Sequence, residues 1–283
     1  MITYKRCTEV NEADIYKAFQ IGFSDYIIKL EMTKDKFMSH FFGTEGNSLE
    51  YSVIAYDEDE PIGLILGGVK VFEGKRTLRC GAFCIAPAYR GTDVSNRLFN
   101  LHRNLAIENN CEQMLLEVIV GNDRAIGFYK KKGYKKVYDL VYYSHNNPSE
   151  IKGVLQKGII VKRIDIDTFQ SLRDQIQDIH INWQNDFDYI SKFEAQVHYG
   201  VYEKEAMIGA LSIHSSGRIN ILWVDSRIRN QGIGSGLLGH VVKELNLKKL
   251  SISFSNNIAL MGFVETLGFT RDPISQYEMY ITL

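Results

Sequence analysis

The sequence is short of the features that mark several classes of protein. It has only four prolines and four cysteines in 283 residues. The cysteines, Cys7, Cys80, Cys84 and Cys111, form no C-x-x-C pair and have no histidine cluster beside them, so no metal site is predicted. Buried free thiols are the favoured interpretation, although Cys80 and Cys84 are spaced to share one face of a strand. Free thiols point to the reducing cytoplasm as the compartment.

Strong charge and long hydrophobic runs are also missing. The formal net charge is −1, so we expect no nucleic-acid partner. No apolar run approaches the roughly 20 residues that span a bilayer, and the first six residues lack the apolar stretch of a signal peptide. We therefore expect a cytoplasmic protein with no membrane partner. The length suits two soluble globular domains.

The same order of elements is predicted on both sides of a polar, proline-containing segment at residues 144–150, the best linker candidate. In the first half, periodicity predicts strand Ile2–Lys5, helices Asn11–Phe23 and Lys34–Phe42, strands Tyr51–Tyr56, Ile62–Phe72 and Thr77–Ile85, helix Val94–Asn109, strand Met114–Val120, helix Arg124–Lys132 and strand Tyr134–Tyr143. In the second half it predicts strand Ile159–Ile164, helical material over Asp167–Asp188, strands Gln196–Tyr202, Met207–His214 and Asn220–Val224, helix Ile233–Leu245, strand Leu250–Phe254, helix Ile258–Leu267 and terminal strand material to Leu283. Two tandem homologous α/β units, residues 1–146 and 151–283, are the economical interpretation.

Residues 229–234 read R-N-Q-G-I-G, between an apolar strand and a helix with apolar periodicity. Gly232 and Gly234 lack a Cβ atom, so phosphate oxygens can approach the backbone N–H groups closely, and the helix N-terminus adds the positive end of its dipole. The pattern alone is weak. Its place between strand and helix favours a phosphate site over a plain glycine-rich turn.

An altered copy of this loop, R-G-T-D-V-S, stands at residues 90–95. It has Asp93 and Ser95 where the other loop has glycines. A carboxylate about 6 Å from a bound diphosphate costs roughly 3 kcal/mol at an effective dielectric of about 20, unless the side chain turns to solvent. The groups that remain for a phosphate are Arg90, Thr92 and the backbone N–H groups of Val94 and Ser95.

With these loops, the whole chain resembles the GNAT superfamily of acyl-CoA-dependent N-acyltransferases. In that family an R/Q-x-x-G-x-G/A loop binds the pyrophosphate of acetyl-CoA. A downstream N-x-x-A-x-x-x-Y-x-x-x-G-F/Y element supplies an Asn near the pantetheine arm and a Tyr near the sulfur. The first half has this element complete, at Asn122, Ala125, Tyr129, Gly133 and Tyr134.

The second half keeps Asn257 and Gly268 of this element but has Val264 in place of the Tyr. The resemblance implies two GNAT-like domains, each a mostly antiparallel mixed sheet flanked by helices, with acetyl-CoA as cosubstrate and no metal. The residues that it implies for cofactor binding are Cys84, Ile85, Arg90, Gly91, Thr92, Val94, Ser95, Asn122, Arg229, Gly232, Gly234 and Asn257.

A candidate acid–base pair lies in the first half. Around Glu117–Tyr134 the chain is similar to the ribosomal-protein alanine acetyltransferases of the same superfamily, in which the matching Glu acts as base and the matching Tyr as acid. Such a pair is useful because a protonated amine cannot attack a thioester and the leaving thiolate needs a proton. The resemblance therefore implies Glu117 as base and Tyr129 as acid, whereas the corresponding Ile252 and Val264 cannot exchange protons.

Simpler interpretations stay open for each of these residues. Glu117 fits an exposed strand position paired with a lysine, Tyr129 fits a core aromatic, and Asn122 fits a helix cap. Backbone N–H groups on the preceding strand, residues 83–85, are the candidate donors to the tetrahedral oxyanion.

The leading hypothesis is an N-acetyltransferase whose first half is catalytic and whose acceptor is a small-molecule or peptide amine. One alternative is that the second half is the active or only coenzyme A-binding half, with a base such as Asp225, Glu205 or His214. A second alternative is a non-catalytic acyl-CoA-binding or regulatory protein. The loop at residues 23–28 would shape the acceptor cleft, with Asp25 facing a cationic amine and Tyr26 packing on it. The sequence indicates no oligomeric state.

Overall fold

The computed structural model describes residues 1–176 and 179–283. The chain folds into two compact units. The first comprises Met1–Val137 together with Tyr277–Leu283, and the second comprises Tyr138–Gln276. This division differs from the boundary expected at the polar linker, because the end of the chain belongs to the first unit, where Met279 is fully buried in the core.

The strands and helices of the first unit follow the predicted order. They are β1 (Ile2–Arg6), α1 (Glu12–Gly22), α2 (Lys34–Phe37), β2 (Ser48–Asp57), β3 (Glu60–Phe72), β4 (Lys75–Ile85), α3 (Val94–Glu108), β5 (Gln113–Ile119) and α4 (Asp123–Lys131). The strands lie in the order β1-β2-β3-β4-β5, followed by residues 277–282 of the last strand. Neighbours from β1 to β4 are antiparallel, whereas β4 and β5 are parallel.

The second unit has the same plan. Its elements are β6 (Lys135–His145, from residue 138 onward), β7 (Ile159–Ile164), α5 (Ile166–Gln170), α6 (Phe187–Ile190), β8 (Gln196–Glu203), β9 (Ala206–His214), β10 (Arg218–Val224), α7 (Ile233–Glu244), β11 (Leu250–Ser255), α8 (Ile258–Thr266) and β12 (Thr270–Thr282, up to residue 276). Strands β7 to β10 are antiparallel, β10 and β11 are parallel, and β11 pairs antiparallel with β6. The predicted fold class, a mixed and mostly antiparallel sheet flanked by helices, is confirmed.

Each sheet is covered by helices on both faces. In the first unit, Leu98 of α3 and Ile126 of α4 belong to one apolar cluster and Phe19 of α1 belongs to the other. In the second unit, Leu237 of α7 lies in one cluster and Phe169 of α5 in the other. Burying both faces explains why the central strands read as nearly continuous apolar runs.

The helices that follow the parallel strands begin and end at sequence signals. The side chain of Asn122 accepts a hydrogen bond from Ala125 N at the start of α4, and Asn257 accepts one from Leu260 N at the start of α8. Beyond each helix end a glycine adopts positive φ, +97° at Gly133 and +89° at Gly268, where other residues are strained.

Both units have a β-bulge in the strand before the parallel pair. In β4, Cys80 pairs with Gly67 and Ala82 with Leu66, so Gly81 is the extra residue. In β10 the extra residue is Asn220, between Ile219 and Ile221. An extra residue reverses the side-chain alternation that follows it.

This bulge makes the expected shared face of Cys80 and Cys84 wrong. Cys80 belongs to the cluster under α3, whereas Cys84 belongs to the cluster under α1. All four cysteines are free and buried, as the sequence favoured. Burial raises the pKa of the Cys80 and Cys84 thiols to about 12, so both are protonated at neutral pH.

Two predicted helices take a different form. The segment Lys34–Phe42 is helical, but after α2 it continues as a π-helix over Met38–Thr44. The predicted helical material over Asp167–Asp188 is divided into α5, a 3₁₀ turn at Trp183–Asn185 and the start of α6, and residues 177 and 178 lie outside the described residues. None of the helices in the described part of the chain has the length and apolar character needed to cross a membrane.

A first prediction concerns the close approach at the bulge of the first unit. A Cβ atom on Gly81 would lie 2.0 Å from Oδ1 of Asn47, a buried side chain that donates to the Phe41 carbonyl at 2.8 Å. Gly81→Ala should therefore reduce the free energy of unfolding by about 1–3 kcal/mol through overpacking. Urea denaturation followed by circular dichroism measures this.

The matched control is Gly127→Ala in α4, where an added Cβ meets no atom within 4 Å. That variant should be neutral or slightly more stable, because alanine favours helix. Equal stability of the two variants would show that Asn47 does not constrain the bulge.

Candidate functional site

The candidate site in each unit lies where a parallel strand pair separates. Strands β4 and β5 pair only from Thr77↔Gln113 to Cys80↔Leu116, and β10 and β11 pair only over two positions. Beyond these positions the strands diverge, and a cavity opens toward the loop that leads into the next helix.

The cavity of the first unit has a volume of about 340 Å³. Seven of the predicted site residues line it: Cys84, Ile85, Arg90, Gly91, Ser95, Asn122 and Tyr129. Thr92 and Val94 do not, since the Thr92 hydroxyl donates to the Tyr89 carbonyl at 2.6 Å and lies 3.4 Å from the Val94 N–H. The structure thus brings most of the predicted cofactor residues of this half together around one space.

Arg90 of the altered loop is held by an acidic side chain. Its guanidinium makes a bidentate pair with Asp25, in which Nη2 lies 2.6 Å from Oδ1, and it donates to the carbonyls of Gly22 and Ile85 at 3.0 Å. Hydrogen bonds from Arg90 keep the pKa of Asp25 below its ordinary value. Asp25 therefore meets the arginine of the loop rather than standing free for a cationic acceptor.

Asp93 does not line this cavity. Its side chain is exposed, and it accepts a hydrogen bond from Asn96 at 3.3 Å rather than capping the helix. Its backbone is right-handed, with φ −74°, whereas the corresponding Gly232 is left-handed with φ +79°. Loss of the glycine thus changes the direction of the N–H groups in the loop more than it adds charge to the cavity.

Tyr129 lies at the inner end of the first cavity and is 8% exposed. Burial raises its pKa well above 10, so the phenol carries its proton at neutral pH. Asn122 lines the same cavity and hydrogen-bonds to Tyr26. A proton donor and an amide group thus face one space.

Glu117 does not line the cavity. Its side chain is 2% exposed, while the backbone of residue 117 accounts for the exposed part of the residue. Oε2 accepts a hydrogen bond from Arg79 Nε at 2.8 Å, and Oε1 is buried with no hydrogen-bond partner among the described residues. The exposed strand position paired with a lysine, one of the simpler interpretations, is not what the structure shows.

Arg79 is a residue that the sequence reasoning missed. It is 3% exposed, and its Nη1 lies 2.8 Å from Oε2 of Glu45. Burial raises the pKa of Glu117, Arg79 opposes this rise, and the nearby Glu278 and Glu45 add to it. The signal available in the sequence was an arginine within an otherwise apolar strand, because such a residue is almost never buried unless it is paired.

The cavity of the second unit, about 390 Å³, is lined by the intact loop and by a longer apolar wall. Arg229, Gly232, Gly234 and Asn257, all predicted from the sequence, lie around it. A Cβ on Gly234 would lie 3.0 Å from the Phe263 ring, so this glycine is also required by packing.

Groups that exchange protons are absent from the described lining of the second cavity, apart from the arginine of the loop. Val264 and Ile252 stand at the positions of the first unit's Tyr and Glu, and both are buried. The alternative bases lie elsewhere: Asp225 is bound by Arg227, which lowers its pKa to about 2, and His214 is bonded to Ser216. Across residues 1–176 and 179–283, no group of three or more His, Cys, Asp or Glu side chains is placed to hold a metal ion.

Comparison with known families gives two matches. The sequence profile described as the Acetyltransferase (GNAT) family matches residues 13–134, and that of the Acetyltransferase (GNAT) domain matches residues 177–283. N-alpha-acetyltransferase 30 of Schizosaccharomyces pombe is 27% identical over 108 residues, which cover 38% of this chain and 71% of that protein.

Solved structures resemble the whole chain. A tandem GNAT protein from the clavulanic acid biosynthesis pathway has a TM-score of 0.70 at 12% identity, covering 100% of this chain and 98% of that one. A GCN5-related N-acetyltransferase from Sphaerobacter thermophilus has a TM-score of 0.70 at 11% identity, covering 99% and 95%. At these identities the likeness concerns the fold.

The pair between Asp25 and Arg90 generates a second prediction. If Arg90 contacts a pyrophosphate, the Asp25 carboxylate competes with that ligand. Asp25→Asn should then tighten binding of coenzyme A to the first unit about two- to fivefold, the range expected for a largely exposed ion pair. Calorimetric titration in a Gly232→Glu background confines the measurement to the first unit.

Asp59→Asn, in the exposed turn between β2 and β3, is the control because it removes the same charge away from the cavity. Unchanged or weaker binding in the Asp25 variant would show that the ligand does not use Arg90.

Proposed function

The chain belongs to the GNAT superfamily of N-acyltransferases, and on that premise we propose that it transfers an acetyl group from acetyl-CoA to a primary amine in its first unit. The observation that carries the proposal is the placement of Tyr129. Its protonated phenol lies in the first cavity beside Asn122, whereas the second unit has a valine at the same position.

The cosubstrate fits the first cavity in part. Arg90, Gly91 and Ser95 lie at its outer end and Asn122 and Tyr129 at its inner end, an order that suits a pyrophosphate followed by a pantetheine arm and a thioester. The competing group is Asp25, so the pyrophosphate must displace or share this carboxylate.

In the proposed reaction Glu117 takes a proton from the acceptor amine, and the freed nitrogen lone pair forms a bond to the thioester carbonyl carbon. The Glu117 atom available for that proton is Oε1, because Oε2 accepts from Arg79. The exposed backbone of residue 117 lies where β5 has left β4, so an amine or one water reaching the divergence point can approach this carboxylate.

Collapse of the tetrahedral intermediate breaks the carbon–sulfur bond, and Tyr129 gives its proton to the departing thiolate. Backbone N–H groups of β4 beyond its last pair with β5 are the donors proposed for the oxyanion. Arg79 acts as a positioning residue, since it fixes one oxygen of Glu117 and leaves the other.

The acceptor proposed is a small-molecule or peptide amine. The similarity of residues around Glu117 to a protein named N-alpha-acetyltransferase 30 favours the amino group of a peptide. We propose that the second unit binds coenzyme A on its intact loop without turnover.

Substituting the two proposed catalytic residues tests the function. Glu117→Gln and Tyr129→Phe should each lower kcat for amine-dependent thiol release from acetyl-CoA by about 10²–10⁴, while coenzyme A binding changes little. Tyr134→Phe is the matched control, because Tyr134 is equally buried but does not line the cavity.

Wild-type rates in both variants would remove the first unit from the chemistry. If a Gly232→Glu variant then lost activity, the second unit would be the active half. Ligand-dependent thermal stabilisation without thiol release from any tested amine would instead indicate a non-catalytic acyl-CoA-binding protein.

The raised pKa of Glu117 predicts a pH dependence. Only the ionised carboxylate accepts a proton, so kcat/KM should rise as pH increases through this pKa, which lies above the ordinary glutamate value because of burial. The pH profiles of wild type and Glu117→Gln provide the measurement. The acidic limb should disappear in the variant, and a limb that persists unchanged would belong to the acceptor amine.

A further inference from the structure

The cavity of the second unit continues into a small buried chamber of about 30 Å³. The chamber and the cavity share four wall residues: Ile179, Leu222, Asn257 and Leu260. The chamber lies between β10 and β11, beyond the two positions at which these strands pair. It is therefore the inner end of the same space.

Three asparagines line this chamber and form one hydrogen-bonded group. Asn185 Nδ2 donates to Asn182 Oδ1 at 2.8 Å and to the Ser253 carbonyl on β11 at 2.9 Å. Asn220, the extra residue of the β10 bulge, donates to Asn185 Oδ1 at 3.1 Å. The group thus bridges the two diverging strands and positions Asn182.

One donor of the group is left over. Asn182 is 1% exposed, it lines the chamber, and its Nδ2 has no hydrogen-bond partner among the described residues. Buried donors without partners are rare in folded proteins. The chamber therefore presents an N–H donor to an empty space and asks for an oxygen acceptor.

We propose that this chamber recognises the acyl group of an acetyl thioester whose coenzyme A portion lies on the intact loop. The inference rests on the proposed binding of coenzyme A by the second unit. A space of about 30 Å³ holds about two water-sized groups, which suits a two-carbon acyl group and excludes a longer chain. Cationic side chains do not appear in its described lining, so an uncharged oxygen is preferred over a carboxylate.

The consequence is a site that distinguishes acetyl-CoA from free coenzyme A. Ile252 and Val264, at the positions of the proposed catalytic pair, cannot move a proton. The second unit would therefore hold the thioester without consuming it, and its occupancy would follow the ratio of acetylated to free coenzyme A.

The two tryptophans allow binding to the second unit to be observed alone. The chain has only Trp183 and Trp223, both in the second unit, and Trp223 lines the cavity. Titration of tryptophan fluorescence with acetyl-CoA, coenzyme A and hexanoyl-CoA should give tightest binding for acetyl-CoA. Asn182→Leu should weaken acetyl-CoA about tenfold and leave coenzyme A unchanged.

Asn147→Leu, at an exposed position outside the chamber, is the matched control. If Asn182→Leu unfolds, Asn182→Ala makes the same test with a smaller change. Equal affinities for acetyl-CoA and coenzyme A in wild type, or equal weakening of both by the variant, would overturn the chamber proposal while the loop site stands. Failure of Gly232→Glu to alter any titration would overturn the loop site itself.

Discussion

The separation of one parallel strand pair in each unit is the constraint on which the sites depend. Parallel pairing ends at Cys80↔Leu116 in the first unit and at Ile219↔Ile252 in the second. Beyond those points each strand carries backbone groups that the partner strand no longer satisfies, and the molecule must supply other partners for them. The cavities, the helix N-termini and the buried polar groups all follow from this divergence.

The two units meet this demand with different polar chemistry. In the first unit an arginine and carboxylates lie beside the divergent strands, with Arg79 between Glu117 and Glu45. In the second unit neutral asparagines do so, and Asn185 donates directly to a carbonyl of β11. Buried charges need partners of opposite sign, whereas amides satisfy one another and leave no group that can take up a proton. This difference underlies the proposed division between a reacting unit and a binding unit.

The loops differ in the same economical way. Gly232 adopts the left-handed conformation, and Asp93 at the matching position is right-handed. The expected electrostatic penalty from Asp93 is small, because its side chain is exposed and turned away from the cavity. The carboxylate that matters is Asp25, which lies 65 residues before Arg90 along the chain.

The sequence by itself determined the tandem organisation, the fold class and most of the lining of both cavities. These follow from local patterns: periodicity of apolar residues, glycines with positive φ, and asparagine caps at Asn122 and Asn257. Helix Asp167–Asp188 was wrong as a continuous element because tertiary contacts of Phe169 and Phe187 divide it.

Only the tertiary structure decided the partners of charged and amide groups. The pair of Arg90 with Asp25, the burial of Glu117 behind Arg79 and the asparagine group all join segments far apart in the chain. The opposite faces of Cys80 and Cys84 depend on a single extra residue in β4 that no local pattern indicates. Composition and spacing specify which groups are present, but long-range packing selects which of them meet, because the energy of a buried polar group depends on its neighbours.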